Sequence, residues 1–282
     1  MNFSMNQLYS SIGISKQAVY QYAQRQINFD LRVSELIQQV DDLRKTHPGC
    51  GVEKMYYTLK PDFIGRDRFI ELMIQLGYRL KRKKNYRRTT YGSKRYYTNL
   101  ISGLKVSNAS QVWQSDITYI EVSGTFYYIV FIIDVYTKEI VGYNVANNLR
   151  ATANIKALKM ALTKHKAPEI HHSDRGSQYT YIPYVELLRQ HQSSISMSGS
   201  AQDNAYAERI NRTIKEEYLG HWKINNYSQL KKSIKQAVDN YNNRRIHNNI
   251  DRMTPVEYHQ KINQLEKKKR RKFSIFNNQN KC

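Results

Sequence analysis

Two aspartates stand in sequence settings that suit metal-assisted chemistry. Asp116 lies in WQSDITY, and Asp174 lies in IHHSDRGSQY, where a short apolar-to-polar run ends in Asp174 and a glycine follows two residues later. A charged side chain within an apolar strand is costly unless it is paired or binds a cation. Carboxylates from separate elements suit Mg²⁺ or Mn²⁺, which prefer oxygen ligands. Two such ions can activate an attacking oxygen and stabilise a leaving one, so phosphoryl transfer is the chemistry that these residues suggest.

The segments around the two aspartates alternate between strand and helix patterns. Strands are predicted at 112–122, 125–135, 140–146, 169–173 and 193–198, with a Ser123–Gly124 hairpin turn and helices at 151–164 and 181–191. This order indicates an α/β domain with a five-stranded mixed sheet. Alternation places Asp116 on the same face as Gln114 and Thr118. Asp174 ends the fourth strand, and sites in open α/β sheets gather at strand ends.

A divalent-metal site needs a third acid, and the helix that begins near Ala201 discriminates among the candidates. The acids considered are Asp134, Glu139, Asp203, Glu208, Glu216 and Glu217. At 100° per residue the buried stripe of the helix is Ala207, Ile210, Ile214 and Tyr218. Glu208 then lies at the edge of the core beside Arg212 and Lys215. Asp134 is interpreted as a turn residue, and Glu216 and Glu217 are expected to face solvent.

The charge of the chain indicates a polyanionic partner. Its 282 residues carry 45 Lys and Arg against 23 Asp and Glu, a formal net charge of +22. Nucleic acid is the first candidate and an acidic membrane surface the second. No apolar run approaches the roughly 20 residues that span a bilayer, and no signal peptide is visible. Two unpatterned cysteines favour a reducing cytoplasm over a disulfide framework or a zinc site.

The first 80 residues are predicted to be helical. Gly13 marks a turn and Ser15 a helix N-cap, which outlines a helix-turn-helix within 5–23. A second helix-turn-helix candidate lies between HPGCG and Tyr78, with Arg66 and Arg68 at the start of its later helix. A recognition helix usually meets DNA at that end.

Two basic segments flank the α/β region. KRKKNYRRTTYGSKRYY at 81–97 has no acid, which favours phosphate contact over a solvated connector. The run KKKRRK at 267–272 is interpreted as part of a disordered tail. The expected division of the chain is 1–28 and 29–80 as helix-turn-helix-like segments, 81–104 as a basic linker, 105–262 as the core and 263–282 as the basic tail.

Four blocks, taken together, carry a family resemblance. WQSDITY, HSDRGSQY, DNAYAERINRTIKEE and YNNRRIHNNIDRMTPVEY, in this order, resemble the integrase core of bacterial insertion-sequence transposases, in particular the OrfB-type proteins encoded by a downstream reading frame. The resemblance implies a ribonuclease-H-like fold. It also implies an acidic triad of Asp116, Asp174 and Glu208 that holds two Mg²⁺ or Mn²⁺ ions. The separation of 34 residues (208 − 174) between the last two is slightly shorter than is usual in the family.

The same resemblance implies partners and an activity. The expected reaction is cutting and joining of double-stranded DNA at the ends of the element and at a target. The resemblance also implies homo-oligomers on DNA and an upstream-frame protein as a candidate partner. It implies no membrane association and a location in the bacterial cytoplasm at the nucleoid. The expected DNA contacts are Lys215, Arg212, Arg175, Arg66, Arg68, Lys83, Lys84, Arg87 and Arg88.

Rival interpretations rest on the same motifs. His171 and His172 could bind a metal, but adjacent strand residues point to opposite faces. The pattern His172-x-x-Arg175 suits a tyrosine recombinase with Tyr206 or Tyr218 as nucleophile, although those enzymes place the motif in a helical domain. A DNA-binding regulator without catalysis fits the charge equally well. A nuclease for RNA–DNA hybrids is permitted by the fold.

Overall fold

The computed structural model describes residues 4–80, 96–199 and 201–275. The chain divides into two compact units. Unit 1 comprises Met1–Thr46 and Cys50–Arg79, and unit 2 comprises His47–Gly49 and Leu80–Cys282. In the described ranges, no helix is both long enough and apolar enough to cross a bilayer.

Unit 1 contains four helices within its described residues: α1 (Met5–Ser11), α2 (Lys16–Thr46), α3 (Val52–Leu59) and α4 (Arg66–Gln75). The predicted turn at Gly13 has a positive φ of 70°. The predicted N-cap is confirmed, since the Ala18 amide donates to Ser15 Oγ. The core of the unit is formed by Leu36, Val40, Cys50, Ile64 and the apolar faces of α3 and α4.

The expected division between residues 28 and 29 does not coincide with a structural boundary. Helix α2 runs through it without interruption for 31 residues. The segment contains neither glycine nor proline, so nothing in the backbone stops the helix before Pro48. The two N-terminal segments therefore share one long helix. The second predicted helix pair corresponds to α3 and α4, which are joined by residues 60–65.

Unit 2 is built on a mixed sheet. In the described part of the chain, its five strands are β2 (Val112–Val122), β3 (Thr125–Asp134), β4 (Ile140–Ala146), β5 (Ile170–Ser173) and β6 (Ser194–Met197). The spatial order is β4-β3-β2-β5-β6, with antiparallel pairing among β2, β3 and β4 and parallel pairing of β2 with β5 and β5 with β6. This is the ribonuclease-H-like topology that the resemblance implies. The hairpin turn is also confirmed, with φ of 48° at Ser123 and 78° at Gly124.

Helices cover both faces of the sheet. On one face, α7 (Ala205–Ile214) and α8 (Tyr227–Asn243) pack against Ile129, Phe131 and Ile133 of β3. On the other, α5 (Ala151–Lys164) and α6 (Ile182–Gln190) pack with Trp113, Val130 and Ile132. Alternating residues of β3 thus serve opposite layers, as strand geometry requires. The predicted buried stripe of α7 is confirmed, because Ala207, Ile210, Ile214 and Tyr218 are all buried.

The C-terminal segment is more ordered than its charge suggests. The expectation of a disordered tail from residue 263 is wrong for its first part, since α9 (Pro255–Gln264) is followed by β7 (Phe273–Ser274), which pairs with β1 (Lys105–Val106). Phe273 stacks on Tyr136 with ring centroids 5.9 Å apart, and Ile275 is buried. Apolar burial at the end of the basic run therefore orders the run.

Candidate active site

The register of two parallel strands brings the predicted aspartates level with each other. Ser115 of β2 pairs with Ser173 of β5, so Asp116 and Asp174 are the next residues on neighbouring strands. Asp116 lies on the face of the sheet that α7 covers. Asp174 Oδ1 accepts the Gly176 amide at 3.1 Å, and this Asx-type turn holds the carboxylate at the strand end.

Gln114 fixes the start of the helix that carries Glu208. No side chain of its own caps the N-terminus of α7. Instead, Gln114 Oε1 accepts the Tyr206 and Ala207 amides at 3.1 and 3.4 Å, and its Nε2 donates to the Asp203 carbonyl at 2.9 Å. Glu208 is therefore held relative to Asp116 by a side chain two residues before Asp116 on the same strand. The strand alternation in the sequence predicted that Gln114 shares a face with Asp116, but it gave no role to Gln114.

Asn211 contacts the candidate cluster directly. Its Nδ2 donates to Asp116 Oδ2 at 2.7 Å, and the residue is buried one turn after Glu208. Sequence reasoning missed this residue as well. Its spacing of three residues from Glu208 on α7 places both side chains toward β2, and that signal was available in the helical periodicity.

The three carboxylates interact electrostatically. Burial and then the charge of Asp174 raise the pKa of Asp116 to about 8, with a smaller contribution from Glu208. Burial also raises the pKa of Glu208, and the nearby Arg212 opposes this shift while Asp174 adds to it. A partly buried group of three like charges disfavours full ionisation unless a cation is present. The oxygen donors and their mutual repulsion fit a divalent cation.

The cluster does not converge on one point. In the described part of the chain, one ligating oxygen from each of these three acids does not lie within 4.8 Å of the other two. A site for two ions does not require such convergence, because each ion takes only part of the ligand set.

Basic side chains lie beside the carboxylates. Burial lowers the pKa of Lys215 while the charge of Asp116 raises it, which places this ammonium group in the field of the cluster. Lys215 Nζ also lies 4.7 Å from the centroid of the Tyr119 ring. It opens a π-helical turn, Lys215–Leu219, and such turns are frequent at functional sites. Arg212 is exposed on the adjacent turn of α7.

Arg175 is exposed, but its side chain also has contacts within the protein. Its Nε donates to the Ser198 carbonyl at 2.9 Å, and its guanidinium lies 4.6 Å from the Tyr96 ring centroid. It therefore fastens the loop after β6 next to Asp174. The structure also agrees with the assignment of His171 and His172 to opposite faces. His171 Nε2 pairs with the Tyr184 hydroxyl at 2.7 Å and His172 Nδ1 with Ser196 Oγ at 2.8 Å.

The remaining acids fall outside the cluster. Asp134 accepts the amides of Ser110, Tyr136 and Thr137, so its interpretation as a turn residue is confirmed. Asp203 Oδ2 accepts the Gly199 amide, and Glu216 is exposed. The expectation that Glu217 faces solvent is wrong, because it accepts two bonds of 2.6 and 2.7 Å from the half-buried Arg245. Glu139 lies with two histidines elsewhere in unit 2.

Two of the predicted DNA contacts outside this cluster lie in α4 of unit 1, and the other four fall on residues that the structure does not describe. In unit 1, Arg66 pairs with Asp67 at 2.8 Å, and the Arg68 guanidinium lies 4.7 Å from the Phe29 ring centroid. Both residues are in the first turn of α4, as predicted. Lys83, Lys84, Arg87 and Arg88 lie outside the described residues.

Comparison with known proteins identifies the same region. An Integrase core domain model matches residues 107–202, and a second Integrase core domain model matches residues 189–255. The "Insertion element IS600 uncharacterized 31 kDa protein" of Shigella sonnei is 31% identical over 266 residues, which cover 90% of this chain and 97% of that protein. A putative transposase for insertion sequence element IS986/IS6110 of Mycobacterium tuberculosis is 29% identical and covers 81% of this chain and 88% of its own length.

Among solved structures, the HTLV-2 integrase catalytic core domain in complex with magnesium is similar at 18% identity and a TM-score of 0.45, and the match covers 57% of this chain and 99% of that chain. The two family models together span residues 107–255, which include the acidic cluster, the five-stranded sheet and helices α5 to α8. The chain therefore belongs to the family of insertion-sequence transposases, proteins of DNA transposition that carry an integrase-like DDE core.

Proposed function

We propose that this chain cuts and joins DNA strands at the ends of its insertion element by divalent-metal-dependent phosphoryl transfer. The observation that carries the proposal is the grouping of Asp116, Asp174 and Glu208. They come from a strand, a strand end and a helix, and the pKa of Asp116 is raised by burial and then by the charges of the other two. Three neighbouring carboxylates in a chain with a net charge of +22 can bind a cation, and the cation can in turn bind a phosphate.

The same three residues would hold Mg²⁺ or Mn²⁺, with two ions expected. When bound, such ions supply activation of the attacking oxygen and stabilisation of the leaving oxygen. Water would attack phosphorus and displace the 3′-oxygen of the element end. The freed 3′-hydroxyl would then attack a target phosphorus and displace the 3′-oxygen of the target strand, so no covalent bond between protein and DNA is required.

The other residues of the cluster would position these groups. Asn211 holds Asp116 Oδ2 in one orientation through its 2.7 Å bond. Gln114 fixes the start of α7 and therefore the height of Glu208 above the sheet. Lys215 and Arg212 provide positive charge for phosphate oxygens, and Arg175 supports the neighbouring loop.

The partners follow from the same proposal. Double-stranded DNA of the element ends would be recognised by unit 1, including Arg66 and Arg68, while the 81–97 run would contact the phosphate backbone. Two ends must be brought together, which calls for a homo-oligomer on DNA, with an upstream-frame protein as a further proposed partner. A chain with this role would act at the bacterial nucleoid, in the cytoplasm.

The test is cleavage of labelled element ends by the full chain, with Mg²⁺, Mn²⁺ or a chelator, and with and without the upstream-frame protein. Asp174→Asn should abolish strand cleavage and leave DNA binding largely intact. Glu216→Gln is the matched control, because this exposed acid lies outside the cluster. Cleavage by the Asp174→Asn protein at the wild-type rate would overturn the mechanism.

The same assay separates the alternatives. Binding should weaken steeply with added salt as counterions are released. Metal-independent binding without any cleavage, under every condition, would instead indicate a regulator without catalysis. Faster cleavage of an RNA–DNA hybrid than of the DNA duplex would indicate the hybrid nuclease.

A further inference from the structure

A second group of potential ligands lies away from the acidic cluster. Glu139, His165 and His259 each offer one ligating atom, and these atoms all lie within 4.8 Å of one another. Among the described residues, this is the group of three or more His, Cys, Asp or Glu side chains that meets this spacing. Glu139 directly precedes β4, His165 follows the last residue of α5, and His259 lies in the second turn of α9.

We propose that Glu139, His165 and His259 bind one Zn²⁺ ion that fastens α9 to α5 and to the start of β4. Two imidazole nitrogens and one carboxylate oxygen form a ligand set that zinc uses, with water in the fourth position. The set contrasts with Asp116, Asp174 and Glu208, whose oxygens suit Mg²⁺ or Mn²⁺. The two groups would therefore select different metals.

The ligand atoms lie near the spacing that zinc requires. Zinc bonds of about 2.0–2.2 Å in a tetrahedron place neighbouring ligand atoms roughly 3.4 Å apart. His259 Nδ1 lies 2.7 Å from one carboxylate oxygen of Glu139, Oε2, and His165 Nε2 lies 3.9 Å from the other, Oε1. One ligand atom from each of the three residues lies within 4.8 Å of the other two, so side-chain rotations are enough to bring both imidazoles to one Glu139 oxygen.

The surroundings hold the ligands in place. Glu139 is buried, and its backbone is tied into the turn after β3: the Asp134 amide donates to the Glu139 carbonyl at 2.9 Å, and the Glu139 amide donates to Thr137 Oγ1. The Trp113 ring meets His165 edge-on with centroids 6.5 Å apart. The two imidazole rings are nearly parallel, with centroids 6.4 Å apart and an interplanar angle of 22°. Rigid ligands of this kind lose little freedom when a metal binds.

The site is separate from the candidate active site. His165 contacts Trp113, which belongs to the layer of α5 and α6, whereas Asp116 faces α7 on the other side of the sheet. An ion here would join residues that are 26 (165 − 139) and 94 (259 − 165) positions apart. The ion would link α9 to the sheet and to α5 through three side chains.

The experiment uses the full chain carrying Asp174→Asn, so that the oxygen cluster is weakened, with excess Mg²⁺ present throughout. Zinc content after dialysis, visible absorption after Co²⁺ substitution, and the change in Tm on adding a chelator are measured. We expect one Zn²⁺ per chain, a Co²⁺ spectrum typical of tetrahedral nitrogen and oxygen ligation, and a lower Tm in chelator.

Variants of the three ligands assign the metal to this site. His165→Ala and His259→Gln should each weaken zinc affinity by about 100-fold or more, since even supporting residues contribute 10–100-fold. Chelator should then leave Tm unchanged. Glu139→Gln, which keeps an acceptor for His259, covers the case in which His165→Ala does not fold. The exposed His221→Gln is the matched control and should behave like its parent.

Two results would overturn the proposal. One is equal zinc content in His259→Gln and in its parent, which would place the metal elsewhere. The other is a parent chain that retains no zinc and shows no Tm change in chelator, which would leave Glu139 and the two histidines as an ion-paired cluster only.

Discussion

Asp116 and Asp134 are aspartates of neighbouring strands in the same sheet, and they have opposite environments. Burial is the main cause that raises the pKa of both carboxyl groups. Asp134 is surrounded by donors, because its two oxygens accept three backbone amides at 2.6–2.9 Å. Asp116 has one backbone bond, from Ile117, and one side-chain bond, from Asn211, and stands in the field of two further carboxylates.

The difference separates a structural carboxylate from a candidate functional one. A buried charge that is saturated by hydrogen bonds organises its own loop and has nothing left to offer a ligand. A carboxylate that faces others of like charge costs stability in the free protein and gains it when a cation binds. Burial or pKa alone would have ranked the two residues together, whereas the identity of their neighbours distinguishes them.

Replacement of Asp116 gives the largest expected effect on activity. Asp116→Asn keeps the shape of the side chain and removes its charge, so strand cleavage should fall by about 10³-fold or more, which corresponds to about 4 kcal/mol. Because the substitution also relieves repulsion from Asp174 and Glu208, Tm in chelator should stay equal or rise. Single-turnover cleavage and thermal unfolding measure the two parts. If the Asp116→Asn protein cleaves at the wild-type rate, or if its Tm is clearly lower, Asp116 would not differ from Asp134 in being functional rather than structural.

Replacement of Asp134 should have the opposite pattern. Asp134→Ala leaves three backbone amides without their acceptor, and the free energy of unfolding should fall by about 3 kcal/mol or more. Urea denaturation measures this loss. Asp134→Asn retains one carbonyl acceptor and should lose less. An alanine variant as stable as the wild type would show that the turn after β3 does not depend on this carboxylate.

The pH dependence of stability extends the comparison to His171, a buried imidazole whose Nε2 pairs with the Tyr184 hydroxyl. Burial lowers the pKa of His171 to about 3, well below the usual 6.5. The unfolded chain therefore binds a proton that the folded chain excludes, so this contribution is complete above pH 6.5 and is lost as pH falls. It should cost about 2 kcal/mol between pH 8 and pH 5.

His171→Gln removes that titrating group. Unfolding of this variant should take up about one proton fewer than unfolding of the wild type toward the acidic end of the same interval. Its free energy of unfolding should therefore change less with pH. Urea denaturation at several pH values gives the slope. Equal slopes for the two proteins would mean that His171 is protonated in the folded state or does not titrate on unfolding.

The smallest expected effect concerns the single donor that Asp116 has from α7. Asn211→Ala should reduce cleavage about tenfold, or about 1.4 kcal/mol, because Asp116 loses its fixed orientation but keeps its charge. Asn243→Ala, an exposed asparagine on α8, is the control. If Asn211→Ala cleaves at the wild-type rate, the 2.7 Å bond has no positioning role.

Much of the fold could be predicted from periodicity. The strands β2 and β4 and the helix α5 have the predicted bounds, and the Ser123–Gly124 turn and the stripe of α7 were also correct. These features depend on short stretches in which side-chain spacing matches one backbone period. The acidic cluster could be proposed because Asp116 and Asp174 stand at informative places in their strands and Glu208 lies beside cations on one helix.

The errors involve contacts between distant residues. Glu217 was expected in solvent but pairs with Arg245, which is 28 positions away. The C-terminal run was expected to be disordered, but Phe273 and Ile275 reach the apolar cluster around Tyr136. The group of Glu139, His165 and His259 has no sequence signal, because its members are scattered over three elements. Local patterns carry no information on such pairings.

The sequence by itself determined the elements of this protein, their order and the residues that could carry chemistry, because backbone periods and side-chain types are local properties. Only the tertiary structure decided how each carboxylate is used. Asp116, Asp134, Glu139 and Glu217 are all acids of one unit. They differ in whether the fold surrounds them with like charges, amide donors, imidazoles or a guanidinium, and that depends on strand register and helix packing across long separations.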